Sequence, residues 1–258
     1  MKIINYPYLE NNKTNLIEQW NNPEKPFKYL VFDGFLFHDA ADELIQEYPN
    51  IDKDGWDNRT FINQKNKYSK TKFKENEPLL DNFFREVNNP KFINLISEIT
   101  GIKDLLPDYE LFGGGLHQSI NGAFLDVHVD FNIHPKTNFH RRLNLIVYLN
   151  KNWEESYNGY LELWDMQNKK QIANIEPSFN RFVIFETNEI SFHGHPKKLN
   201  TPVGVSRKSL AVYYYTEKRD TNEIAQEHNT IYINTEGFKG KIKNLISGFV
   251  ALKERIKK

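Results

Sequence analysis

The sequence predicts a mainly β domain, an antiparallel sandwich or jelly roll, with helices supporting it on the N-terminal side and one amphipathic helix at the far end. Three observations predict it. After Pro107 the chain runs as short β-rich stretches separated by turn residues, with no helical stretch between them. Before Pro107, apolar residues recur at helical spacing. The stretch 143–149 is apolar at nearly every position and must be buried on both faces, which the 39% hydrophobic content of 258 residues can supply.

Taken in order, residues 1–26 are polar and read as an arm or short helix. Residues 28–33 alternate as a strand, and 39–48 form a helix that stops before Pro49. The stretch 51–77 is polar, with five lysines and no acid between 65 and 74, and reads as a flap or a solvated surface loop. Helices follow at 79–87 and 92–99, broken at Asn88-Asn89-Pro90. Strands are expected at 109–112, 123–130, 143–149, 160–164, 172–175, 181–186 and 208–216. Asn121-Gly122, Asn158-Gly159 and 177–180 supply turns between them. Residues 238–258 place apolar side chains at helical spacing among basic ones, a helix suited to packing on the domain or pairing two copies as a homodimer, with binding to a membrane surface the alternative. The organisation expected is a support region over 1–106, the β core over 107–218 and an extension over 219–258.

Composition removes several classes of function. Basic and acidic residues number 34 each, so no long-range field gathers nucleic acid. No apolar run approaches a membrane span, and the opening Met1-Lys2-Ile3-Ile4-Asn5 turns polar too soon for a signal peptide. A soluble cytoplasmic protein of a bacterial cell or virus-infected host cell is expected, the rich use of Asn, Lys and Ile reflecting AT-rich codons. Without cysteine there is no disulfide, thiol nucleophile or sulfur-ligated metal. Any metal must use His and carboxylates.

His128-Val129-Asp130 lies at the end of an expected strand, where side chains two apart share a face. His193 follows in another strand-edge segment, 191–196. Two imidazoles and one carboxylate on one face form the facial triad used by non-haem Fe(II) oxygenases. In the strand after His193, Arg207, Ser209, Ala211 and Tyr213 share one face, so a guanidinium and a hydroxyl point inward. Asn144, Ile146 and Tyr148 share a face on a neighbouring strand. An inward Arg207 needs a carboxylate, and Tyr148 can donate a second hydrogen bond to it. Together these groups describe a site for a small dicarboxylate that chelates iron at its other end.

The order His-x-Asp, then Tyr148-Leu149-Asn150-Lys151, then His193, then Arg207 resembles 2-oxoglutarate and Fe(II)-dependent dioxygenases of the prolyl 4-hydroxylase type. The stretches 148–153, 158–163 and 175–181 followed by Phe185 strengthen the resemblance, which covers about residues 109–216. The opening at 26–36 is similar to that of bacterial oxygenases of the same superfamily. The resemblance implies a double-stranded β-helix with Fe(II) on His128, Asp130 and His193. His193 is preferred to His195 by its distance from the Phe185 strand, and His195 is left to line the mouth or bond nearby backbone. It further implies 2-oxoglutarate held by Arg207 and Tyr148, with Ser209 and Asn144 on the same lining. Arg141 and Tyr213 would face the substrate at the rim, Tyr213 standing where that family usually has Trp. The expected reaction is hydroxylation of an unactivated C–H by O2, with release of succinate and CO2 and ascorbate as reductant. Peptidyl proline is the leading substrate, a small molecule, sugar or lipid the alternative, and a non-catalytic cupin-like binding protein the third reading.

Overall fold

The computed structural model describes residues 1–53, 55–58, 60–73 and 75–233. The expected amphipathic helix at 238–258 lies outside them. Four helices precede the long β region: α1 (Tyr6–Trp20), α2 (His38–Glu47), α3 (Pro78–Val87) and α4 (Pro90–Thr100). Interleaved with them are β1 (Tyr29–Asp33), β2 (Asp57–Asn58) and β3 (Gln64–Lys70). The remainder is β4 (Gly115–Val129), β5 (His140–Tyr148), β6 (Leu161–Asp165), β7 (Lys170–Ile175), β8 (Arg181–Glu186), β9 (Phe192–His195), β10 (Arg207–Thr216) and β11 (Ile231–Tyr232).

The helices begin and end where local chemistry dictates. Asn5 caps α1 by accepting from the Tyr8 backbone N–H, and Leu9, Leu16 and Trp20 form its buried face. The polar N-terminal arm is thus a 15-residue helix held by three apolar side chains. Asn89 caps α4 and Pro90 opens it, so the expected break at 88–90 is in part a helix start. Gly101, at φ +72°, ends that helix in a left-handed turn. The first free N–H groups of α3 are satisfied by the Glu47 carboxylate, which accepts from Leu79 and Leu80 at 3.1 and 2.7 Å.

The strands form one antiparallel sheet in the order β1-β8-β5-β10-β4-β9-β6-β7, with β3 and β11 paired along β4. β4 makes this sheet fold on itself. Along one edge its first half pairs with β10 and its second half with β9, while along the other β3 pairs with it as far as Leu125 and β11 takes over at His128 and Val129. Val183, Phe185 and Tyr148 of one leaf therefore pack against Leu161, Leu163 and Ile175 of the other, forming an inner core between the leaves. On the outer face of the first leaf, Leu143, Leu145, Val147, Leu210 and Val212 meet Phe83, Val87, Phe92 and Ile96 of the helices. This is the jelly-roll double-stranded β-helix that the sequence led us to expect.

Three expectations are corrected. Residues 109–112 form turns, anchored by Asp108, whose carboxylate accepts from the Glu110 and Phe112 N–H groups. Asn121-Gly122 is not a turn between strands but lies within the 15-residue β4, where Gly122 sits at φ +77° and the register against β3 slips. The stretch 51–77 is not a loop throughout: β2 and β3 lie inside it, and β3 runs along β4. Lys70, at the end of β3, is only 2% exposed and pairs with Glu77 at 2.6 Å.

Candidate active site

His128, Asp130 and His193 are brought together from the end of β4 and from β9, with their ligand atoms within 4.8 Å of one another. The β4–β9 register shifts between Leu125 and His128, and this places His128 directly opposite His193. Their rings stand 4.4 Å apart. Each imidazole is oriented by the backbone two residues before it. His128 Nδ1 lies 2.8 Å from the Asp126 carbonyl and His193 Nδ1 2.9 Å from the Ser191 carbonyl. A carbonyl only accepts, so both Nδ1 atoms carry hydrogen and both Nε2 lone pairs face Asp130, at 3.6 and 3.4 Å from its oxygens.

The carboxylate is equally prepared. Burial works against its charge, but the Arg141 guanidinium outweighs burial and holds Asp130 well below the usual carboxylate range. Arg141 Nη2 reaches Asp130 at 3.0 Å. Asn144 bridges the two, donating to Asp130 at 2.7 Å while accepting from Arg141 Nε and Nη2. Burial and then the neighbouring His193 push His128 down, keeping it neutral as a ligand must be. Two free imidazole nitrogens and one ionised carboxylate fit a divalent transition metal with positions left open.

Behind the triad lies a guanidinium without a carboxylate. Arg207 is 7% exposed; its Nε donates to the Gly159 carbonyl at 2.7 Å and its Nη2 to the Tyr148 hydroxyl at 2.9 Å. Among the described residues it forms no ion pair. Burial raises the Tyr148 phenol, so its O–H stays protonated and, having accepted from Arg207, is free to donate. Gly159 permits this arrangement: it sits at φ +76°, and a Cβ there would stand 2.3 Å from Leu199 and 3.2 Å from Arg207.

Residues 114–215 match the 2OG-Fe(II) oxygenase superfamily. The chain is 33% identical over 79 residues to the prolyl 3-hydroxylase OGFOD1 of Mus musculus, a match spanning 29% of this chain and 14% of that protein. Its fold is similar to that of a prolyl hydroxylase of Trichoplax adhaerens solved with a peptide fragment of hypoxia inducible factor. The TM-score is 0.59 and the identity 18%, over 81% of this chain and 93% of that one. A Pseudomonas putida prolyl-4-hydroxylase superposes with a TM-score of 0.54 and 17% identity, over 78% and 98% of the two chains.

Within this β domain, the other residues singled out from sequence fall into two groups. Ser209 and Tyr148 lie opposite each other on β10 and β5, beside Arg207, on the inner face. Asn144 shares that face, but its amide is engaged by Asp130 and Arg141, so it positions the Asp130 carboxylate instead of lining the space beside Arg207. Arg141 is not at the rim. It is 1% exposed, and a bulge in β5 opposite Tyr214 and Tyr215 swings it inward, where Asp130 neutralises it. Tyr213 is half-buried, its ring 3.6 Å from the Arg141 guanidinium and its hydroxyl donating to the Gly113 carbonyl. His195 does not bond nearby backbone: it is 4% exposed and, among the described residues, neither ring nitrogen has a hydrogen-bond partner. Two residues escaped the sequence reading. Tyr232 of β11 covers the His128 ring at 5.3 Å, and Lys67 of β3 shares the sheet face of Arg207. Only the lysine spacing of the supposed flap hinted at the second.

Proposed function

We propose that the protein is a 2-oxoglutarate- and Fe(II)-dependent dioxygenase that hydroxylates an unactivated C–H, with peptidyl proline as substrate, releasing succinate and CO2. The observation that carries this reading is the buried Arg207–Tyr148 pair, which has no anion among the described residues and stands behind a His-Asp-His cluster already poised for metal. Fe(II) held by His128, Asp130 and His193, together with 2-oxoglutarate, would supply the O2-activating chemistry that no side chain provides. Arg207 would form charge-assisted bonds to one carboxylate of the cosubstrate, and Tyr148 would donate to the same group. Arg141 and Asn144 keep Asp130 ionised and aimed. Tyr213, Phe131 and Tyr232 form aromatic surface around the metal end, suited to orienting an apolar ring of the substrate. Proline is favoured by the prolyl hydroxylase names of the relatives. Ascorbate would serve to keep the iron reduced.

The test is incubation with Fe(II), 2-oxoglutarate, ascorbate and O2 plus a panel of proline-containing peptides and small metabolites. Mass spectrometry should find one added oxygen on a prolyl peptide, with succinate in equal amount. Oxygen transfer to a sugar, lipid or free amino acid instead would refute the peptide assignment. Absence of both succinate and 2-oxoglutarate binding would refute the oxygenase reading.

A further inference from the structure

The cosubstrate end holds a second cation that nothing so far explains. Lys67 lies on β3 opposite Ser119 of β4, and Ser119 is in turn opposite Arg207 of β10. Residues directly opposed across antiparallel strands share a sheet face, so Lys67 and Arg207 sit on the same face, roughly 10 Å apart by backbone at two strand spacings. Lys67 is partly buried and, among the described residues, has neither an ion pair nor a hydrogen bond from its ammonium group. Its electrostatic neighbours are those of the site: Asp130 first, then Arg207 and Arg141. Burial, with those two arginines, lowers Lys67 to about 8, against the pull of Asp130, so it remains mostly charged at neutral pH. Asp130 cannot be its counter-ion, since Arg141 and Asn144 already occupy that carboxylate.

A third unpartnered group faces the same space. His195 is opposite Leu125 of β4, which is opposite Gln64 at the start of β3, and both its buried nitrogens are free of hydrogen bonds. Its strongest charged neighbours are Arg207 and Lys67. Two cations and an unbonded imidazole gathered in one enclosed place are unfavourable unless an anion is to be bound there. A dicarboxylate has two acceptor ends, and Arg207 with Tyr148 accounts for one.

We propose that Lys67 is a second anchor of the cosubstrate, pairing with a carboxylate of 2-oxoglutarate, and that His195 hydrogen-bonds the same bound molecule. This rests on the oxygenase reading above and assigns the two residues as positioning groups of its cosubstrate site. The strand that carries Lys67 then belongs to the site as well as to the sheet.

Calorimetric titration of 2-oxoglutarate into Mn(II)-loaded protein without O2 tests this with no turnover. Lys67→Met should weaken binding by about tenfold or more, as expected for a lost charge-assisted bond, while Lys67→Arg retains most of it. His195→Phe should weaken it to a smaller extent. Mn(II) affinity, read from the free-ion paramagnetic resonance signal, should be unchanged in all three. A second readout separates anchoring from a structural role. In ligand-free protein Lys67→Met should melt no lower than the parent, because it removes an unpaired charge, yet gain less thermal stability on adding 2-oxoglutarate. Parent-like cosubstrate affinity in Lys67→Met, or a lowered melting temperature without ligand, would overturn the assignment while leaving the oxygenase reading intact. If the parent itself takes up Mn(II) but no 2-oxoglutarate, both fall.

Discussion

The two ends of the cleft are built on opposite principles. At the metal end every polar group has a partner: Asp130 is held by Arg141 and Asn144, and each imidazole by a backbone carbonyl. At the Arg207 end, the proposed cosubstrate end, Arg207 and Lys67 have no anion and His195 has no hydrogen bond among the described residues. In the proposed function the first end awaits only a cation and holds its geometry in advance, whereas the second is completed by a dianion. Stability should therefore reside at the metal end, and ligand dependence at the other.

The largest effect should come from breaking the completed end. Asp130→Ala removes a metal ligand and leaves Arg141 buried without a counter-charge, which typically costs about 3–5 kcal/mol of stability. Denaturant unfolding should report that loss together with lost Mn(II) binding. A variant as stable as the parent would show that the metal end is not the rigid partner of the comparison.

Arg141→Met probes the same network from its other side. Metal affinity should fall, because Asp130 loses the charge that holds it ionised, and cosubstrate turnover should fall with it. Retained conversion of 2-oxoglutarate to succinate, with only substrate hydroxylation lost, would restore Arg141 to a substrate-facing role.

Arg207→Ala should behave in the opposite way. 2-Oxoglutarate affinity should drop about ten- to a hundredfold, since charge-assisted bonds are worth about 1.5–3 kcal/mol, while Mn(II) affinity and unfolding stability stay close to the parent. A large loss of stability would mean that the deep end is structural too.

The smallest effect is expected for Tyr148→Phe, which keeps the ring and removes one hydroxyl. Cosubstrate binding should weaken about fivefold, the worth of one ordinary hydrogen bond near 1 kcal/mol. An effect equal to that of Arg207→Ala would show that the phenol orients the guanidinium as well as donating beside it.

The sequence by itself determined a good deal here. Apolarity at nearly every position of 143–149 specified a strand buried on both faces, and alternation along 207–213 and 144–148 specified which side chains point inward. His128, Asp130 and His193 were legible because ligand chemistry restricts residue type and strand parity restricts direction. Helices at 39–48, 79–87 and 92–99 were legible because an amphipathic period survives wherever one face packs on a core.

Only the tertiary structure decided the rest. β3 reads Gln-Lys-Asn-Lys-Tyr-Ser-Lys, with none of the apolar alternation that marks a strand, since it runs beside a polar site and is held by backbone pairing to β4. A strand that lines a charged site looks like a loop in sequence, and so Lys67 passed for a solvated residue. Arg141 could not be placed either. Parity counted back from Asn144 points Arg142 inward, and only the bulge opposite Tyr214 and Tyr215 exchanges the two. Register slips and polar strands are settled by the pairing of segments far apart in the chain, and a local pattern of residues carries no record of that pairing.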